Sequence, residues 1–149
     1  MNMKWHIKEF NELDLEELYN IIKERTNVFV VEQDCPYPEC DDKDKKAYHL
    51  YLTNNNEIIS YLRILSPGVS YKNTSIGRVL VKKEYRKRGI AKELMKRAIK
   101  FIENDLREDS ITISAQQYLI KFYTDIGFKV VSEGYLEDGI PHVKMIYKK

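Results

Sequence analysis

Long apolar runs are missing from this chain. None approaches the ~18 residues of a membrane-spanning helix. No basic-then-apolar leader opens it either, since Met1-Asn2-Met3-Lys4-Trp5 passes straight into a strand-like alternation. Cysteine is scarce, with Cys35 and Cys40 the only two thiols in 149 residues. Two thiols and no export signal point to a reduced, cytoplasmic protein rather than a disulfide scaffold. With His49, Cys35-x-x-x-x-Cys40 misses the close cysteine pairs of zinc sites and lacks a fourth ligand, so no metal is expected. Neither cysteine has the helix-start or histidine-paired setting of a nucleophilic thiolate. An excess of one charge is also lacking. The 25 basic and 23 acidic residues leave +2, too little for a nucleic-acid binder that must neutralise several phosphates. Repeats and low-complexity linkers are absent, and residues 1–149 read as one domain.

What is present is an ordinary globular pattern. Trp5, Ile7 and Phe10 mark a first strand over Lys4 to Phe10. Asp14 with Glu17 three residues on reads as a capping box. The helix it opens carries the stripe Leu15, Leu18, Tyr19 and Ile22, and can run on through Val28-Phe29-Val30-Val31. Pro36, Pro38 and mixed charges make 34–46 a loop. Its acidic run from Glu39 to Asp44 reads as solvated, or as a guide for a cationic substrate. Tyr48 to Thr53 and Ile58 to Leu65 flank Asn54-Asn55-Asn56 and predict a hairpin. Ile76 to Val81 is a fourth strand, and Ala91, Leu94, Met95, Ala98, Ile99 and Ile102 hold a helical period to about Leu106. Ile111 to Ala115 is a fifth strand, and a short helix over Tyr118 to Ile126 stops at Gly127. Phe128 to Val131 and Val143 to Tyr147 close the fold. The expected class is α/β, a mixed and mostly antiparallel sheet flanked by helices.

One feature contradicts ordinary helix electrostatics. A helix N-terminus carries partial positive charge and favours acidic neighbours. Here Lys82, Lys83, Arg86, Lys87 and Arg88 crowd the start of the helix that opens at Gly89. An anion gripped by free backbone N–H groups accounts for that placement. Gly89 has no Cβ, so the backbone can close on a phosphate. The segment reads as a pyrophosphate cradle.

Arg86-x-x-Gly89-x-Ala91 followed by Phe122-Tyr123-Thr124-Asp125-Ile126-Gly127-Phe128 resembles the GNAT superfamily of N-acetyltransferases. Its coenzyme loop reads Arg/Gln-x-x-Gly-x-Gly/Ala, and a tyrosine stands four residues before a later Gly-Phe. Trp5, Arg25, Val28 to Gln33, His49, Arg63-Ile64-Leu65, Gly77-Arg78-Val79, Ala115-Gln116 and Glu137 to His142 resemble its ElaA-like branch. The resemblance implies the GNAT fold and direct acetyl transfer from acetyl-CoA to a primary amine, with the coenzyme as cosubstrate and no metal. It implies that Val79, Leu80 and Val81 pair with pantetheine as an added strand. Arg86, Lys87, Arg88, Gly89, Ile90, Ala91 and Lys92 would hold the pyrophosphate.

Tyr123 is the candidate acid for the leaving thiolate, its phenol near or above the pKa of a thiol. As the base, His142 at the start of the final strand competes with His49 and with Glu32 acting through water. Glu32, His49, Arg63 and Gln116 are the candidate contacts to the acceptor. His6 reads as packing or surface. The partner is a small-molecule or peptide amine, not nucleic acid or membrane, and the chain is a monomer or homodimer. The alternative is a non-catalytic acyl-CoA sensor or docking module, which needs the cradle but not Tyr123.

Overall fold

Alternating apolar residues build the strands β1 (Met3–Glu9), β2 (Ala47–Asn54), β3 (Glu57–Leu65), β4 (Thr74–Val81), β5 (Ser110–Gln116), β6 (Lys129–Val130), β7 (Tyr135–Glu137) and β8 (Ile140–Lys148). The helices are α1 (Leu15–Arg25), α2 (Ile90–Asn104) and α3 (Ile120–Ile126). They come from a computed structural model that describes residues 2–149. The strands form one sheet in the order β1-β2-β3-β4-β5-β8-β6, with β7 on the edge of β8. Among the described residues, neighbours pair antiparallel except β4 and β5. Those two run parallel and pair only at Thr74–Ile111 and Ser75–Thr112. Beyond these pairs the strands part, and a cleft opens between them.

Strand periodicity puts apolar side chains on both faces. Leu94, Met95, Ala98, Ile99 and Ile102 of α2 pack with Leu50, Leu62, Ile64 and Ile76 on one face. Tyr123 and Phe128 extend that core beneath β5 and β8. On the other face, Ile21 of α1 packs with Tyr51, Ile58, Tyr61 and Leu80. Helices therefore flank the sheet, as the sequence predicts.

Four local expectations are corrected. First, α1 does not bury Leu15 and Tyr19, which are 88% and 71% exposed; it buries Ile21, Glu24 and Arg25. A hydropathy stripe cannot detect a buried face that carries charge. Second, α1 runs on through Val28 to Val31 as expected, but in the wider π winding over Thr26–Glu32. Third, the acidic run from Glu39 to Asp44 is not simply solvated, because Glu39 and Asp44 are buried. Fourth, the closing hairpin is more elaborate than expected. β6 shrinks to two residues, and β7 forms a tight hairpin with β8 across Asp138 and Gly139, with φ of 50° and 78°. Two positive φ values match the turn type that suits hairpin twist.

Candidate active site

Two cavities meet in the β4/β5 cleft. The larger, about 520 Å³, is a groove between the π turn and the start of α2. Val28 and Glu32, Leu80 and Val81, and the run Arg86, Lys87, Gly89 to Lys92 line it. The smaller, about 120 Å³, is walled by Arg78, Ser114, Glu137 and His142. Phe29, Gln33, Val79, Gln116, Leu119 and Tyr123 line both. A group in the groove and a group in the small cavity can thus meet at Tyr123.

The groove ends in the cradle. Gly89 caps α2 at φ 79°, ψ 7°. A Cβ built there would meet no atom within 4 Å and would project into open space. The first α2 hydrogen bond runs from the Glu93 N–H to the Gly89 carbonyl at 3.2 Å. The N–H groups of Ile90, Ala91 and Lys92 therefore have no partner within the helix. Lys87, at φ 65°, adds a second left-handed residue just before them. Successive amides in such a turn make an anion-binding nest. Lys87 and Arg88 stand exposed around it. Arg86 is committed differently. It forks onto the Glu32 carboxylate at 2.5 and 2.8 Å and donates to the Val81 carbonyl at 2.8 Å. The basic run is therefore not wholly free, and Glu32 is a strap across the groove rather than a wall of the small cavity.

Between the cavities β4 is bulged. Arg63 faces Gly77, yet Tyr61 faces Leu80, so the β4 chain carries an extra residue there. Arg78 sits in that bulge at φ 54°. Such a conformation persists in a non-glycine residue only where its surroundings hold it. Here a closed ring of alternating charges does so. Arg78 Nε reaches Glu39 at 2.9 Å and its fork reaches Asp41 at 3.5 Å. Arg25 bonds Glu39 at 2.5 Å and Asp44 at 2.7 Å. Arg63 closes the circle on Asp44 at 3.0 Å and Asp41 at 2.6 Å. Burial alone would raise the Asp44 carboxyl, but the hydrogen bond and charge of Arg25, with Arg63 behind them, hold it below the usual carboxylate range.

The acetyltransferase (GNAT) domain model matches residues 8–149 of this chain. The chain belongs to the GNAT acetyltransferase family. A Schizosaccharomyces pombe protein of the UPF0039 group is 42% identical over 146 residues, covering 97% of this chain and 96% of its own. Escherichia coli ElaA is 34% identical over 145 residues, 96% of this chain and 95% of ElaA. Its crystal structure superposes with a TM-score of 0.92 at 32% identity, covering 98% of this chain and 99% of that one. An acyl-CoA N-acyltransferase from Pseudomonas aeruginosa superposes with a TM-score of 0.93 at 38% identity, with 98% and 99% covered. The likeness is end to end, and this GNAT chain falls in the ElaA-like branch.

The GNAT cleft sorts the candidate residues. Tyr123, His142 and Gln116 come together at the small cavity. Val79, Leu80, Val81, Arg86, Lys87, Gly89, Ile90, Ala91 and Lys92 line the groove. Arg88 stays outside that lining, its guanidinium 5.3 Å from the Tyr85 ring centre. His49 and Arg63 line neither cavity. His49 is fully buried, and burial pushes its imidazole below its ordinary value. Its Nε2–H donates to the Asp44 carbonyl at 2.9 Å, so Nδ1 must accept from the Tyr61 hydroxyl at 2.7 Å. No lone pair remains for a base. Arg63 belongs to the charge ring instead of the acceptor.

His6 meets Thr53 at 3.0 Å and stacks on Tyr51, a packing role. Cys35 and Cys40 are free thiols, the first buried and the second exposed. Among the described residues no cluster of three His, Cys, Asp or Glu could hold a metal, and no helix is long and apolar enough to cross a membrane.

Sequence reasoning gave no role to Ser114, Tyr135 or Glu137, although Glu137 opens a run that carries the ElaA-like resemblance. β7 is too short to show a period, although Asp138-Gly139 is a hairpin signal.

Proposed function

We propose that this GNAT protein transfers acetyl from acetyl-CoA to a small primary amine by direct attack within a ternary complex. The observation that carries this reading is the shared wall. Tyr123 faces both the groove and the small cavity, with the β4 bulge between them. Acetyl-CoA supplies the acetyl group as an activated thioester. The turn at Gly89 fits a pyrophosphate, because the N–H groups of Ile90, Ala91 and Lys92 have no partner within α2 and can be given to an anion. The interrupted ladder at Arg78 and Val79 leaves β4 backbone polar groups available in the cleft. An N–H there can stabilise charge growing on a carbonyl oxygen.

His142 is the base in this proposal. Its Nδ1 lies 2.6 Å from the Ile140 carbonyl, an atom that only accepts, so Nδ1 carries the proton. Nε2 is then free to take one from the acceptor. Burial, with the nearby Tyr118 phenol adding to it, pushes the Tyr123 phenol above its ordinary value. Tyr123 therefore keeps its proton at neutral pH, and complete transfer to a thiolate with a pKa of about 8.5 runs uphill. Its contribution is a hydrogen bond that strengthens as negative charge develops on the leaving sulfur. Transfer needs no covalent acetyl-enzyme, and two free thiols suit a reducing cytoplasm.

Saturating coenzyme A should raise the melting temperature. At a hundredfold excess over Kd the native state gains about 2.7 kcal/mol. For a chain of this size that corresponds to roughly 5–10 °C. Free-thiol release from acetyl-CoA with a panel of primary amines tests the transfer itself. A melting temperature indifferent to coenzyme A contradicts the cofactor assignment. Coenzyme binding without transfer to any amine makes the chain a sensor.

Gly89→Val probes the nest directly. The left-handed backbone strains a β-branched residue by about 1–2 kcal/mol, which the fold should survive. Coenzyme A affinity should drop at least about tenfold, the worth of one charge-assisted hydrogen bond. Calorimetry on the folded variant measures this, and undiminished affinity removes the nest from the site.

A further inference from the structure

Glu137 and His142 bring two hydrogen-bonding side chains together on one wall of the small cavity. Glu137 reaches into it from the β7/β8 hairpin, opposite His142 of β8. The Ser114 hydroxyl donates to Glu137 Oε1 at 2.9 Å. Serine has a single proton to give, so the Tyr135 hydroxyl must donate to Ser114 across their 2.5 Å contact. That chain of donors holds the carboxylate in place and leaves Oε2 facing His142 Nε2 at 3.6 Å. Nδ1 of the imidazole already gives its proton to Ile140. In the neutral imidazole Nε2 is then an acceptor, and it faces the carboxylate oxygen across 3.6 Å. Tyr135 stacks on the His142 ring at 6.2 Å and keeps it aligned. The nearby cations are engaged elsewhere. Arg78 is held by Glu39 and Asp41, and Lys144 lies over the Tyr71 ring.

We infer that Glu137 Oε2 and His142 Nε2 form the receptor for the acceptor's ammonium group, so that the substrate class is a small alkyl primary amine bound as its cation. This rests on the small cavity being the acceptor site. An ammonium offers three donors and can satisfy both atoms at once. A cavity of about 120 Å³ admits the end of a slim alkyl chain rather than a folded peptide. One N–H proton passes to Nε2. The amine becomes a neutral nucleophile, and the imidazolium so formed is paired with the Glu137 carboxylate. Glu137 thus binds the acceptor and steadies its proton on His142.

The chain has three histidines, so the C2-proton resonance of His142 can be identified by its loss in His142→Gln. Propylammonium chloride is titrated into the protein saturated with coenzyme A, with propanol and sodium chloride as controls. The expected result is a saturable shift of the His142 signal by propylammonium and none by propanol or salt. Glu137→Gln, half-exposed on its hairpin, should weaken that binding at least about tenfold, the worth of a charge-assisted hydrogen bond. No saturable shift in the wild type overturns the inference. Equal affinity in Glu137→Gln also overturns it, and would mean that His142 and Glu137 simply pair with each other. Should Glu137→Gln fail to fold, discrimination between propylammonium and propanol by the wild type decides. The coenzyme-induced rise in melting temperature, read on the same samples, keeps the two proposals apart. If that rise is seen without the histidine shift, this inference alone fails.

Discussion

Arg25→Met is expected to destabilise the protein by about 3–5 kcal/mol, the cost of leaving buried carboxylates without their cation. Arg25 has no exposed surface, and it alone joins Glu39 to Asp44. Methionine fills much of the volume but supplies none of the donors. For a chain of this length the loss is a fall in melting temperature of roughly 10 °C. Arg25→Lys separates charge from geometry. It keeps the cation but cannot reach both acids with a planar fork, so it should recover only part of the loss. Denaturant unfolding of both variants measures this. A loss below about 1 kcal/mol for Arg25→Met would mean that Arg63 and Arg78 suffice to hold the acids, in conflict with a closed ring.

The ring also sets an acid limit. Burial alone would raise Asp41 and Asp44, but Arg63 acting on the first and Arg25 on the second hold both below the usual range. Their stabilisation is complete above an unfolded pKa of about 4 and is lost as pH falls through the lower folded values.

Tyr123→Phe should lower the single-turnover rate of acetyl transfer by roughly 10²-fold, the lower end of what a positioned donor supplies. The ring is 6% exposed, and it packs on Phe122 and Phe128 with centroids 5.0 and 5.9 Å away. Phenylalanine keeps those contacts, so stability should change by no more than about 1 kcal/mol. Acetyl-CoA affinity should barely move, because the hydroxyl matters only as charge develops on sulfur. Single-turnover measurement excludes a limiting product release. An undiminished rate would remove Tyr123 from the mechanism and leave the backbone at the β4 bulge to act without it.

The local elements were legible because their signals are local. The α2 stripe from Leu94 to Ile102 is buried as its period required. Asn55 and Asn56, with φ of 50° and 69°, turn the β2/β3 hairpin as expected of such residues. Gly89 and Gly127 cap α2 and α3 with positive φ. The turn before α2 could be read because its backbone conformation and its charges lie within a few consecutive residues. The α1 face was misjudged because its burial depends on acids arriving from 34–46. Sequence periodicity ranks Arg25 as surface, and only the ring of partners makes its burial tolerable.

Strand and helix order apart from β7, the turn at Gly89 and the position of Tyr123 before Gly127-Phe128 were legible from the sequence alone. Propensity, capping and turn chemistry act over a few residues, so each of these could be read from neighbours alone. Which histidine is available emerges only from how the chain packs. His49 and His142 both stand near the start of a strand, yet one has both nitrogens engaged and the other has Nε2 facing a carboxylate. The same packing makes Arg63 brace the fold, Glu32 strap Arg86, and Glu137 enter the small cavity from a three-residue strand. These outcomes depend on contacts that the packed fold makes: Arg63 meets Asp41 22 positions away, Arg86 meets Glu32 54 positions away and Ser114 fixes Glu137 23 positions away. In such contacts the partner, and not the residue type, sets charge, protonation and role.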